Sequence, residues 1–81
     1  MSYAARVSVT LKPGIADPQG QTIERALPAL GYEGVSSVRV GKMIELEVDA
    51  PDKSQAKKRV EEMCERLLAN PVIESYEVTI S

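Results

Sequence analysis

The chain has 81 residues, 43% of them hydrophobic and 27% charged, with three Tyr, no Phe, no Trp, no His and a single Cys. That is enough for one domain, expected over residues 1–81, with a small core that gains from a partner. Without His there is no imidazole base or ligand, and one Cys makes neither an internal disulfide nor a Cys-based zinc cage. Ten Lys and Arg against twelve Asp and Glu give a net charge of −2, which argues against a general nucleic-acid binder. No stretch approaches the ~18 apolar residues of a membrane span. The opening Met1-Ser2-Tyr3-Ala4-Ala5-Arg6 has no apolar signal core. A lone thiol and no export signal predict the cytoplasm.

Ala5 to Lys12 alternates, with Ala5, Val7, Val9 and Leu11 on one side and Arg6, Ser8, Thr10 and Lys12 on the other. This is a half-buried strand, broken by Pro13-Gly14. Asp17-Pro18 starts a helix, with Asp17 as N-cap and Pro18 at its first position. Ile23, Ala26, Leu27 and Leu30 follow at helical spacing, and Gly31 suits the cap at the end. Pro28 predicts a distorted or shortened last turn, because it lacks an N–H and crowds the carbonyl of Glu24.

Val35 to Val48 reads as a hairpin. A three-residue loop, Gly41-Lys42-Met43, pairs Val40 with Ile44 and Val38 with Leu46 and keeps one face apolar. Asp52 and Gln55 then have capping-box spacing. Ala56, Val60, Met63, Cys64, Leu67 and Leu68 form an apolar helical stripe. Lys57 with Glu61, Lys58 with Glu62, and Glu62 with Arg66 stand four residues apart on the outer face. Asn70-Pro71 ends the helix. The last strand is expected from about Val72 to Ile80.

The order β-α-β-β-α-β predicts an α+β, ferredoxin-like fold: a four-stranded antiparallel sheet with two helices on one face. Its open face would carry Arg6, Ser8, Thr10, Lys12, Ser37, Arg39, Glu45, Glu47, Glu77 and Thr79. That face suits water, or a partner met through charge pairs and hydrogen bonds.

Little in the chain suggests chemistry. Cys64 lies on the apolar stripe with no base to activate it, and reads as a small core residue. Glu61, Glu62 and Glu65 sit beside Lys58 and Arg66, and read as a solvated, salt-bridged face rather than a carboxylate pair for acid–base work. Arg39 and Lys42 flank a tight turn at Gly41, where two cations could hold a phosphate or a partner's carboxylate. Asp17, Gln19 and Gly20 open the first helix. Gly20 costs about 1 kcal/mol there relative to Ala, which points to a close backbone approach. The candidates for partner contact are therefore Asp17, Gln19, Gly20, Arg39, Gly41 and Lys42. No residue is assigned to catalysis, to a metal or to a cofactor.

Three stretches together resemble the PurS family, the small subunit of phosphoribosylformylglycinamidine synthase: LKPGIADPQGQTIERAL at 11–27, GYEGVSSVRVGKMIELEV at 31–48, and EEMCERLLANPVIESYEV at 61–78. The resemblance covers nearly the whole chain, and Pro28 departs from the pattern expected in the first helix. It implies a non-catalytic subunit in de novo purine biosynthesis. The complex converts formylglycinamide ribonucleotide, ATP and glutamine to formylglycinamidine ribonucleotide. It further implies a PurQ-type glutaminase and a PurL-type synthetase as partners, ATP and Mg held on the synthetase, and a homodimer or higher homo-oligomer. The small subunit would bridge the two larger chains and assist ammonia transfer.

The same element order allows other functions. An ACT-like module would bind a small metabolite at a dimer interface, and Pro13-Gly14 is a thin match for its loop. An acylphosphatase needs a glycine-rich phosphate loop with its Arg, and dimeric α+β isomerases usually need a His. An RNA-recognition domain needs aromatic residues on its central strands, where this chain has Arg6, Ser8, Thr10, Glu45 and Glu47.

Overall fold

A computed structural model describes all 81 residues. Three strands form one antiparallel sheet in the order β2-β1-β3: β1 is Ser2–Leu11, β2 is Lys42–Asp49 and β3 is Glu74–Ile80. Alternation in β1 sets its two faces. Ala5, Val7 and Val9 are buried, and their neighbours Arg6, Ser8 and Thr10 are exposed. Val7 stands between Ile44 of β2 and Val78 of β3, and Arg6 stands between Glu45 and Thr79. One face is therefore apolar across all three strands and the other is polar. The Arg6 guanidinium pairs with Glu45 at 3.3 Å on the polar face.

Two helices connect the strands, α1 (Pro18–Ala26) and α2 (Lys53–Met63). Asp17 caps α1 by accepting from the Gly20 N–H, and Asp52 caps α2 by accepting from the Gln55 N–H. Pro28 ends α1 as its missing N–H requires. The chain tightens into a single 3-10 turn over Pro28–Leu30 and closes on Gly31 at φ 95°.

α2 lies across all three strands. The core beneath it is thin, formed by Ala5, Val7, Val9, Val48, Ala50, Ala56, Val60, Cys64, Ala69 and Ile80. Only 12 of the 81 residues are buried, and Leu30, Tyr32, Leu67 and Val72 are among the large apolar residues left exposed.

The structure departs from the expected four-stranded sheet with two helices on one face. Val35–Val40 forms no strand, and there is no hairpin at Gly41-Lys42-Met43. β2 begins at Lys42, opposite Val9 of β1. The N–H groups of Val38 and Val40, which a ladder would need, are held by carboxylates of Glu24 and Asp17. Gly34 at φ 81° and Ser37 at φ 59° also turn the backbone out of extended geometry. As a result Ser37 and Arg39 are not part of the polar sheet face, and Lys12 lies just beyond the end of β1 at Leu11.

Nor does α1 share the apolar face with α2. It packs on the turn that follows it, and Ile23 and Leu30 remain 44% and 71% exposed. The molecule is elongated, 51 × 25 × 14 Å with a radius of gyration of 16.2 Å. A compact chain of this length has about 12 Å.

The stripe on the second helix is cut short. After Cys64 the helix widens into one π turn, Cys64–Leu68, closed by the Ala69 N–H on the Cys64 carbonyl at 3.0 Å. The extra residue in the turn rotates Leu67 to 83% exposure, while Leu68 packs against the core. The strand then starts at Glu74, two residues later than expected. The expected Lys–Glu and Glu–Arg pairs on α2 do not close. The chain's two ion pairs are Arg6–Glu45 and the Met1 ammonium with Asp49.

Candidate functional site where two sequence motifs meet

Asp17-Pro18-Gln19-Gly20 and Val38-Arg39-Val40-Gly41-Lys42, some twenty residues apart in sequence, lie against each other beside the end of β1. Asp17 makes the junction. Its Oδ1 accepts from the Gly20 N–H at 3.0 Å and its Oδ2 accepts from the Val40 N–H at 2.8 Å. The residue is 6% exposed. These two backbone donors, Val40 first, hold its carboxyl below the ordinary value of 3.8, against an opposing push from burial. With both oxygens engaged, Asp17 is a fixed structural anion rather than a free base.

Glu24 repeats the contact one step further along. Its Oε1 accepts from the Val38 N–H at 2.9 Å. Asp17 and Glu24 are seven residues apart, two turns of one helix face, while Val38 and Val40 are two apart and present their N–H groups on one side. Two helical turns rise about 10 Å and two extended residues about 7 Å. The longer Glu side chain takes up the difference.

The two glycines are demanded by this packing. A Cβ on Gly20 would stand 2.6 Å from the Val38 carbonyl oxygen, and one on Gly41 would stand 2.6 Å from that of Val9. Gly20 is thus the close approach its helix-disfavouring position suggests. Arg39 turns back along the chain, where its Nη2 donates to the carbonyls of Leu11 at 2.9 Å and Lys12 at 3.3 Å. Gln19 and Lys42 remain exposed at the rim of a shallow cleft of about 260 Å³, with Glu74 opposite.

The structure therefore brings all six candidate residues to one place, with different tasks. Asp17, Gly20 and Gly41 join the motifs. Arg39 fastens the loop to the end of β1. Gln19 and Lys42 offer polar groups outward. Glu24 was not among the candidates, and its signal was the seven-residue spacing from Asp17 set against the alternation of Val38 and Val40.

Elsewhere, Cys64 is wholly buried, and burial followed by Glu61 and Glu65 pushes its thiol up, away from the reactive thiolate. Glu65 lies beside Tyr76 and raises the phenol as well. No three His, Cys, Asp or Glu side chains converge as metal ligands. No helix is long and apolar enough to cross a membrane.

This framework has known counterparts. The sequence profile of PurS, described as phosphoribosylformylglycinamidine (FGAM) synthase, matches residues 4–81. The chain belongs to the PurS family. The PurS subunit of this synthase from a Synechocystis species is 51% identical over 75 residues, 93% of this chain and 75% of the relative. Crystalline PurS from Methanocaldococcus jannaschii, one of the subunits of formylglycinamide ribonucleotide amidotransferase in the purine biosynthetic pathway, superposes with a TM-score of 0.87. It is 44% identical, covering 98% of this chain and 95% of that one. A chain in the structure of PurLQS from Thermotoga maritima superposes with a TM-score of 0.91 at 40% identity, covering 100% of this chain and 99% of that one. The backbone described here thus superposes along nearly its whole length on solved PurS chains.

Proposed function

We infer that this chain is the non-catalytic small subunit of phosphoribosylformylglycinamidine synthase, in the cytoplasmic de novo pathway of purine biosynthesis. The observation that carries the reading is its full-length likeness to a chain of PurLQS. The complex converts formylglycinamide ribonucleotide, ATP and glutamine to formylglycinamidine ribonucleotide. A PurQ-type subunit releases ammonia, and a PurL-type subunit holds ATP and Mg and binds the ribonucleotide. This chain carries no cofactor of its own and joins the two.

The need for such a subunit is physical. Ammonia released into neutral water is mostly protonated and no longer a nucleophile, so a path that excludes water keeps it reactive. A bridging domain contributes shape and hydrogen-bonding groups to that path. Gln19 and Lys42 are suited to partner contact because they are exposed at the junction of the two motifs. Asp17, Gly20, Arg39 and Gly41 hold them in place.

The chain also assembles with copies of itself. The support is the exposed apolar surface of α1 and the 3-10 turn after it, where Ile23 and Leu30 face outward on an elongated molecule 51 Å long. A second copy would cover this surface and complete the layer that the single sheet leaves half covered.

Reconstitution tests the reading. The chain alone is expected to turn over neither ATP nor glutamine. Added to its cognate glutaminase and synthetase, it restores glutamine-dependent synthesis, whereas a high concentration of free ammonia supports synthesis without it. Equal use of glutamine by the two larger chains with and without this subunit would refute the bridging role. An ACT-like sensor would then take its place, identified by calorimetric binding of amino acids or nucleotides.

A further inference from the structure

α1 carries an apolar stripe with no sheet beneath it. Ile23, Ala26, Leu27 and Leu30 recur at helical spacing along the helix and the 3-10 turn after it, and Ile23, Ala26 and Leu30 are exposed. The sheet lacks the matching cover. α2 crosses all three strands but sits mainly over β3. On the apolar face of β2, Val48 is buried, whereas Ile44 and Leu46 are only half-buried. Met63 marks the same gap from the helix side. It follows Arg59 by one turn on one side of α2, and Arg59 donates to the Asp49 carbonyl at the end of β2. That side of α2 therefore faces β2, yet Met63 is 37% exposed.

The chain's own first helix does not close the gap. Glu24 and Asp17 tie α1 to the N–H groups of Val38 and Val40. That segment is in turn fixed at the end of β1, by Arg39 on the Leu11 and Lys12 carbonyls and by Gly41 packed against the Val9 carbonyl. Together these contacts hold α1 off the sheet, and folding it back onto β2 would break them.

We propose that two copies of the chain exchange their first helices: the stripe from Ile23 to Leu30 of each copy lies on the β2 half of the other's sheet, beside α2 and over Ile44, Leu46 and Met63. This rests on the self-association reading above and gives it a geometry. One chain supplies both a helix without a sheet and half a sheet without a helix, so a two-fold axis satisfies both at once. Pairing two α1 stripes with each other would leave Ile44, Leu46 and Met63 open. Exchange instead gives each sheet two helices on its apolar face, one from each copy.

The test places a nitroxide label on one copy and reads its effect on another. Thr22 is exposed at the rim of the stripe, so Thr22→Cys in a Cys64→Ala background takes the label without blocking the contact. The labelled chain is refolded with isotopically enriched wild-type chain, and amide intensities of the enriched chain are compared before and after chemical reduction of the nitroxide. Every effect read this way comes from a neighbouring copy. Ile44, Leu46 and Met63 are expected to lose more intensity than the β3 edge, and the loss is expected to vanish when the labelled chain also carries Ile23→Asp and Leu30→Asp. Losses confined to α1 overturn the proposal in favour of helix-to-helix pairing. An oligomer in which no β2 amide is affected also overturns it, and leaves the β2 half to a larger subunit. A wild-type chain that sediments as a monomer refutes self-association, and this proposal with it.

Discussion

Asp17 and Val40, 23 positions apart, are joined by a 2.8 Å hydrogen bond from the Val40 N–H to the Asp17 carboxylate. The bond does two things. It takes a backbone donor that would otherwise serve a strand ladder, and it ties α1 to the segment leading into β2. The arm that carries α1 packs little apolar surface on the sheet, so polar contacts of this kind fix its direction.

Removal of Asp17 should therefore loosen the arm. Asp17→Ala strips a helix cap and leaves the Val40 N–H unpaired, and the melting temperature is expected to fall by about 5 °C or more. The pH dependence has a definite sign. Because the folded carboxyl lies below its ordinary value of 3.8, its contribution is complete above that value and is lost as pH falls through the lower folded value. Thermal melts between pH 2 and 5 should show a steep acid limb in the wild type and a flatter one in Asp17→Asn. Parallel limbs would assign acid unfolding to other carboxylates.

The glycines separate close packing from backbone conformation. Gly20→Ala and Gly41→Ala drive a Cβ to 2.6 Å from a carbonyl oxygen, and each should cost about 2 kcal/mol because backbone must move. Gly31→Ala meets open space but has φ 95°, and should cost about 1 kcal/mol. Urea unfolding of the three variants checks the order. A cost at Gly31 exceeding that at Gly41 would contradict the close approach to Val9.

The π turn predicts a reversal of sequence-based expectation for two neighbours on one stripe. Cys64→Ala removes a small, fully buried group and should cost ~1 kcal/mol while leaving complex activity within a few-fold. Leu67→Ser changes a residue that is 83% exposed and should leave the stability of the isolated chain within about 0.5 kcal/mol. Chemical denaturation of both variants decides. A larger loss at Leu67 would mean that the helix continues as a regular α-helix through Leu68.

The exposed face of α1 and of the 3-10 turn that follows it should govern self-association. Ile23→Asp with Leu30→Asp places charge on that face without touching the core. Sedimentation velocity is expected to show an oligomer for the wild type and a monomer for the double variant, both with the same far-UV circular dichroism. Persistence of the oligomer in the variant would place the homomeric interface elsewhere.

How much of this was legible beforehand differs from element to element, for identifiable reasons. The strand through Val7 and Val9, both Asp caps, the break at Pro28 and the Gly31 cap follow from local rules, since each depends on side chains within a few residues of the backbone they act on. The burial of Cys64 follows from apolar periodicity, and the central position of β1 from the element order. Tertiary structure alone decided the fate of Val35–Val40. Its alternation is compatible with a strand, but two carboxylates on α1 took its N–H groups, and local propensity contains no record of a competitor some twenty residues away. It alone decided that Leu67 faces outward, because the π turn changes the helical period on which the stripe was read. It alone placed α1 off the sheet. Composition and periodicity mark α1 as amphipathic, but an amphipathic face says only that something must cover it, and a chain burying 12 of its 81 residues leaves that covering to another molecule.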